Sequence, residues 1–262
     1  MIKPSRLQGI FEMQRGKFRN LLTRNLVPGR QVYGERLFHI DGIEYREWDP
    51  ESSKICAALH NGLSQIGLKP GDVALYLGCS TGTTVSHVSD LVGEAGFVFA
   101  VDLAPRVLRE LIFIVEDRHN LAPILCDANR VDLLAKFVCQ VDWLFQDIAQ
   151  RDQVGIFQKN VNTFLKPGGF GVLAIKARSI NVARAPKQIF LDVRRELEKS
   201  FTIVDYRELD PFQKDHALFV VKKALMAPLI NVSEPKAQQF KASGIRGPTY
   251  PPTINLLRTT GP

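Results

Sequence analysis

Four charged residues follow short apolar runs: Asp102 after 96–101, Asp127 after 122–126, Asp147 after 141–146 and Lys176 after 169–175. Any one of them reads as an ordinary turn residue at the end of a strand. In a doubly wound sheet, however, strand ends share one edge, and ligands bind beyond it. Three carboxylates and an amine on that edge predict a common site, with acids to hold sugar hydroxyls and a lysine to hold or move a proton. Residues 73–84 supply the companion feature. Val-Ala-Leu-Tyr-Leu runs into Gly78, Gly82 follows four residues later, and Thr83 and Thr84 open a helix whose Val85, Val88, Leu91 and Val92 share one face. Unpaired N–H groups at a helix start, approached through glycines, cradle a nucleotide-type ligand. The pattern Gly-x-x-x-Gly lacks the three-glycine pyrophosphate turn of dinucleotide sites. An acid placed like Asp102 to hold a ribose hydroxyl pair, without that turn, fits S-adenosylmethionine better than NAD.

Alternating strands and helices must deliver these ends. After the glycine turn the pattern predicts a strand over 96–102, a helix over 106–119 buried through Leu108, Leu111, Ile112 and Val115, and a third strand leading to Asp127. A fourth strand leads to Asp147, a helix over 157–164 stops at Lys166-Pro-Gly-Gly, and a fifth strand leads to Lys176. A helix over 186–201 and a strand pair, 201–207 with 216–221, complete the series. This predicts an α/β fold, a Rossmann-like methyltransferase sheet with an antiparallel last strand. Ahead of it, residues 1–50 read as a small N-terminal β-rich unit, with a hairpin turning at Asp41-Gly42 and another turn at Pro28-Gly29. Such a unit is too short for its own core and should dock on the next domain or on a partner. A helix then starts near Pro50 and Ser52, with Ile55, Leu59 and Leu63 at helical spacing. Lys54 falls in its first turn, where the helix dipole disfavours a cation. The methyltransferase domain is assigned to 51–223. Residues 224–262 hold six of the fifteen prolines and little periodicity, which predicts a tail that is disordered or ordered by a partner.

Lys and Arg number 34 against 27 Asp and Glu, a net charge of +7 that favours an anionic partner such as nucleic acid. With 45% hydrophobic residues among 262, the chain can bury a sizeable core. Cys56, Cys79, Cys126 and Cys139 have neither metal-ligand spacing nor a Cys-x-x-Cys pair, so they read as reduced, mostly buried thiols and no metal is expected. No apolar run approaches membrane-spanning length, and a soluble intracellular protein without a membrane partner is expected.

On this frame the residues resemble the fibrillarin family over nearly all of 1–223. The matching stretches are Asn25-Leu-Val-Pro-Gly with Val32-Tyr-Gly-Glu, and Glu44-Tyr-Arg-Glu-Trp-Asp-Pro with Ser53-Lys54. They continue through the run from Tyr76 to Asp90, Asp147-Ile-Ala-Gln150, Ile175-Lys-Ala-Arg-Ser and Lys214-Asp-His216-Ala. The glycine turn is general to methyltransferases, whereas Gly82-Thr-Thr-Val-Ser-His and the N-terminal motifs are specific. The resemblance implies RNA 2′-O-methylation with S-adenosylmethionine, directed by C/D-box guide RNA and acting on pre-rRNA and tRNA. It implies a catalytic set at Lys54, Asp147, Lys176 and His216. Beside the turn glycines Gly78 and Gly82, it implies cofactor contacts at Thr83, Thr84, Asp102, Leu103, Asp127, Ala128, Asp147, Ile148, Ala149 and Gln150. A Nop-type scaffold protein and a kink-turn-binding protein are the implied protein partners. Three positions depart from the family pattern: Cys79-Ser-Thr for Ala-Ala-Ser, Asp102-Leu103 for Glu-Phe, and Asn181 where an acid is common. Asp for Glu keeps the hydrogen-bonding role with a shorter reach, and loss of the Phe loosens contact with the adenine. Lacking a glycine/arginine-rich N-terminal segment, the chain resembles the archaeal form, expected in the cytoplasm, rather than the nucleolar eukaryotic one.

A sulfonium methyl group is already activated, so the chemistry reduces to aligning a ribose 2′-hydroxyl and removing its proton. A lysine serves as base only if its pKa falls from about 10.4 to about 7–8, roughly 4 kcal/mol of environmental bias. Lys54 beside Lys176 would push that way. Asp147 pulls the other way and is expected to orient Lys176 and the hydroxyl, with Lys54 tuning the charge or holding a phosphate and His216 supporting the geometry. Two rivals share the fold. A guide-independent RNA methyltransferase of the Lys-Asp-Lys-Glu type is disfavoured by His216 and by the N-terminal unit. A non-catalytic RNA–protein scaffold is disfavoured by retention of all four residues.

Overall fold

A computed structural model describes residues 2–16 and 18–225, so the proline-rich tail beyond Leu225 lies outside the described residues. Five strands come first: β1 (Ile2–Pro4), β2 (Ile10–Arg15), β3 (Phe18–Arg24), β4 (Leu37–Ile40) and β5 (Ile43–Trp48). They form an antiparallel sheet in the order β1-β2-β3-β5-β4. Asp41 and Gly42 link β4 to β5 with φ of 53° and 75°. A two-residue turn with both positions left-handed matches the natural strand twist, which is why Asp-Gly marks a hairpin. The sheet is larger than that hairpin, because 2–24 contribute three further strands.

The chain enters α1 (Lys54–His60) through the N-cap Ser53. The helix therefore opens later than Pro50 and Ser52 suggest, since Ser52 donates its hydroxyl back to Asp49 and closes a turn there. Leu63 lies beyond the helix but is still fully buried. The second sheet and its helices follow as β6 (Val73–Leu77), α2 (Thr83–Val92), β7 (Phe97–Asp102), α3 (Pro105–Val115), β8 (Leu121–Leu125), α4 (Val131–Leu134) and β9 (Val141–Gln146). Next come α5 (Gln153–Phe164), β10 (Leu165–Lys176), α6 (Ala177–Ile180), α7 (Pro186–Glu198), β11 (Thr202–Glu208) and β12 (His216–Lys222). The strand order is β11-β12-β10-β9-β6-β7-β8. Strands β8, β7, β6, β9 and β10 run parallel to their neighbours, and β12 inserts antiparallel between β10 and β11. This is the expected Rossmann-like sheet with its antiparallel last strand.

Both sheet faces are covered, as a parallel sheet requires. Along β6, Ala74 and Tyr76 join one apolar cluster with Ile55 of α1, Val85 and Val88 of α2 and Leu111 of α3. Leu75 and Leu77 point the other way, into a cluster with Phe157 of α5 and Val193 of α7. Two expectations about burial need correcting. Ile112 is 48% exposed, because α3 packs mainly on β7 and the edge strand β8 through a stripe centred on Leu108 and Leu111. The thiols are free, but only Cys56 and Cys79 are buried; Cys126 is half-buried and Cys139 exposed.

The N-terminal sheet docks through buried charge. Asp90 in α2, its side chain fully buried, accepts from Arg46 Nη1 at 2.8 Å, Arg118 Nη1 at 2.7 Å, Thr23 Oγ1 at 2.9 Å and Leu26 N at 3.1 Å. Arg46 is equally buried and also binds Ser86 Oγ at 3.0 Å and Glu35 Oε1 at 2.6 Å. Next to it in α2, His87 lies 2.8 Å from both Thr23 Oγ1 and Tyr33 Oη, stacked on the Trp48 ring at 5.0 Å. Burial, then Arg46 and Arg118, push its pKa well below 6.5, so the imidazole is neutral. Asp90→Ala would strand two buried guanidiniums and is expected to cost about 3–5 kcal/mol. Arg30 Nε and Asp117 Oδ2 form an exposed ion pair at 3.2 Å, and removing it with Asp117→Ala should cost about 1 kcal/mol or less. Urea unfolding midpoints of the two variants measure the contrast, and equal shifts would show that the buried cluster does not hold the two sheets together.

Candidate active site

Strands β6, β7, β9 and β10 end at one edge of the sheet, bringing the 78–82 turn, Asp102, Asp147 and Lys176 together there. Because β12 runs the opposite way, its first residue, His216, reaches the same edge and pairs with Lys176 across the ladder. Lys54 begins α1 and closes the group: its Nζ lies 2.8 Å from Asp147 Oδ2, with the two side chains 21% and 22% exposed. Asp147 thus pairs with Lys54 and not with Lys176, contrary to the sequence expectation. Lys176 is exposed, and among the described residues its amine has no hydrogen-bond or ion-pair partner.

His216 Nδ1 lies 2.6 Å from the Lys214 carbonyl oxygen. A carbonyl only accepts, so Nδ1 carries the proton and Nε2 is left as an acceptor. Burial lowers the His216 pKa from 6.5; the Lys214 carbonyl and Asp147 raise it, and the Lys54 and Lys176 cations lower it. The four residues therefore share one electrostatic neighbourhood.

Beside them opens a cavity of about 250 Å³. Of the residues expected to meet a cofactor, Gly78, Asp102, Leu103, Ala128, Asp147, Ile148, Ala149 and Gln150 line it. Ser80, Val101 and Cys126 also line it and were missed, although Ser80 sits within the glycine turn and Cys126 precedes Asp127. Gly82, Thr83, Thr84 and Asp127 are not on the wall. Thr84 is buried and donates Oγ1 to Ser53 Oγ at 3.1 Å, tying the start of α2 to the cap of α1. Asp127 instead closes a local turn by accepting from Asn129 N at 2.8 Å. A larger open hollow of about 1150 Å³, around Arg19, Trp48, His60 and Phe212, contains none of Lys54, Asp102, Asp147, Lys176 and His216, so size does not mark the site.

The glycines serve close packing. Gly78 has φ of 84°, and a Cβ there would collide with the Asp147 carbonyl, so only glycine lets the end of β6 touch the end of β9. Gly82 is the N-cap of α2 at φ 114° and provides no side-chain cap. The helix start is left with N–H groups suited to an anionic group. Asp102 is held by two backbone donors, Ser80 N on Oδ2 and Ala104 N on Oδ1, both at 2.9 Å. Each oxygen keeps a second lone pair for a ribose hydroxyl. Val101, Leu103, Ala128 and Ile148 supply apolar wall for a flat base. This set of groups fits S-adenosylmethionine.

Comparison with known proteins agrees with that geometry. The Fibrillarin family model matches residues 2–225. A Thermococcus onnurineus protein named fibrillarin-like rRNA/tRNA 2'-O-methyltransferase is 51% identical over 203 residues, covering 78% of this chain and 90% of its own. The crystal structure of Aeropyrum pernix fibrillarin with natively bound S-adenosyl-L-methionine aligns with a TM-score of 0.78 and 41% identity, over 84% of this chain and 97% of that one. A fibrillarin crystallised in complex with Nop5p aligns with a TM-score of 0.76 and 34% identity, over 84% of this chain and all of that one. With the strand-end charges, the glycine turn and the antiparallel last strand in place, the chain belongs to the fibrillarin family.

Proposed function

We propose that this chain methylates ribose 2′-hydroxyls of rRNA and tRNA, with S-adenosylmethionine as the methyl donor. The observation that carries the reading is the meeting of Lys54, Asp147, Lys176 and His216 at one sheet edge, beside the cavity that Asp102 lines. The name of the Thermococcus relative and the ligand of the Aeropyrum structure support it. Asp102 would hold the cofactor's ribose, and the apolar wall of Val101, Leu103, Ala128 and Ile148 its base. When bound, the cofactor supplies an activated methyl group on a sulfonium.

The chain's own residues do the rest. Lys54 and Asp147 are committed to one another, so Lys176 is the group available to meet the ribose hydroxyl. As an ammonium it positions that hydroxyl by donating to it; only after losing its own proton can it take up the hydroxyl's as the oxygen attacks. Neutral His216 offers Nε2 as an acceptor beside the lysine, and Asp147 balances the Lys54 cation. The catalytic subunit works with a Nop-type scaffold, as the Nop5p complex of a relative supports. A kink-turn-binding protein and a C/D-box guide RNA complete the proposed particle. The net charge of +7 provides salt-sensitive, sequence-independent attraction to RNA, so site choice is assigned to guide pairing.

Asp102→Ala should weaken S-adenosylmethionine binding by about 1–3 kcal/mol, since the ribose hydroxyls lose their acceptor. Calorimetry on the isolated chain reads this directly, and unchanged affinity would remove Asp102 from the site. Lys176→Ala should slow single-turnover methylation of a guide-matched RNA about a hundredfold or more, the scale of a positioned acid–base group. Cofactor affinity should hardly move, because the lysine acts only once the hydroxyl attacks. A normal rate in that variant would refute the assigned chemistry. The isolated chain should methylate poorly and without site preference. Efficient, site-specific transfer without guide or scaffold would favour a guide-independent enzyme.

A further inference from the structure

Parallel strand β9 pairs with β10 only as far as Gln146 opposite Leu173. Beyond that register β10 runs on alone on this side to Lys176, with β12 on its other side. The missing strand is replaced by one side chain. Gln153, fully buried at the start of α5, accepts from Lys176 N at 3.2 Å through Oε1 and donates Nε2 to Lys176 O at 3.4 Å. Its carboxamide therefore mimics one step of a β ladder. Since both main-chain groups of Lys176 face Gln153, the Lys176–His216 pair is of the non-hydrogen-bonded kind, in which opposed side chains lie closest. Gln153 is itself held: Gln146, also fully buried, donates Nε2 to the Gln153 carbonyl at 2.6 Å.

We propose that Gln153 is a positioning residue for methyl transfer, clamping the Lys176 main chain beyond the end of β9 so that its amine stands at a fixed height over the Asp147 edge. This rests on the role assigned to Lys176 above. The relay Gln146–Gln153–Lys176 ties the strand that ends at Asp147 to the strand that ends at the lysine, so the carboxylate and the amine move as one unit. Helix α5 is anchored at its far end as well, where Lys223 Nζ donates to the carbonyls of Val161, Asn162 and Leu165 at 3.0, 3.0 and 2.7 Å. The clamp is thus set on a fixed support, and Asp152 caps the same helix by accepting from Gly155 N.

The test is a double-substitution cycle in particles reconstituted with scaffold, kink-turn protein and guide RNA, read by single-turnover methylation. Gln153→Leu keeps the size and removes both bonds. It should slow methylation ~10- to 100-fold, the scale of a reacting group misplaced by about 1 Å, with cofactor affinity unchanged. In a Lys176→Ala background the same substitution should cost no more than about twofold, because its effect passes through the lysine. Gln153→Glu repeats the cycle if the leucine variant does not fold. It still accepts from Lys176 N but sets a carboxylate against the Lys176 carbonyl. Equal slowing in both backgrounds would make Gln153 merely structural and overturn the proposal, as would failure of both variants to fold. Full activity of Lys176→Ala by itself would instead overturn the role of the lysine, and so separates the two readings.

Discussion

A carboxylate with no exposure to solvent sets the relation between the two sheets. Asp90 meets guanidiniums from β5 and from the turn after α3, and desolvating three charges is tolerable only when each finds its partners. That requirement admits few arrangements. It locks β3 and β5 onto α2, the helix that starts at Gly82 above the cofactor cavity. The same docking leads the chain from Trp48 into α1, where Ser53 receives the Thr84 hydroxyl and Lys54 is directed at Asp147. The N-terminal sheet is therefore part of the machinery that aims one of the site's lysines.

The edge itself breaks ordinary rules of stability. Lys54 begins a helix, where the dipole disfavours a cation, and its pairing with Asp147 offsets that. A second lysine stands at the end of β10 with its amine unpaired among the described residues. A hydrated, exposed amine adds little to folding. Its backbone is nevertheless held more firmly than its side chain, since both of its main-chain groups bond the Gln153 carboxamide. Such local conflict with stability at one cluster is what a functional site leaves in an otherwise consistent fold.

The alternation of strands and helices was legible because each element buries a face with its own period, and that period is local. Ala74 and Tyr76 against Leu75 and Leu77 in β6, or Ile189, Val193 and Leu197 in α7, carry the signal in a few adjacent residues. The Asp-Gly turn was legible for the same reason, since its two left-handed residues are a neighbour-to-neighbour demand. Even the gathering of Asp102, Asp147 and Lys176 followed from order along the chain, because parallel strands deliver their ends to one edge.

Other features had no local source. Residues 2–24 form three strands whose partners include β5, some twenty residues further along, and Ile112 stays exposed although it follows the buried Leu111 in α3. Asp147 chose Lys54 over Lys176, and the Gly78 backbone rests on Asp147, contacts that span about 70 residues or more. Gln153 carried no motif at all, since an amide that substitutes for a strand is recognisable only once β9 is seen to stop short. Local residue preference is enough for the periodic elements, their order and the residue types at the edge. Which charge pairs with which emerges on folding, because burial and pairing depend on distances between segments that local preference does not encode.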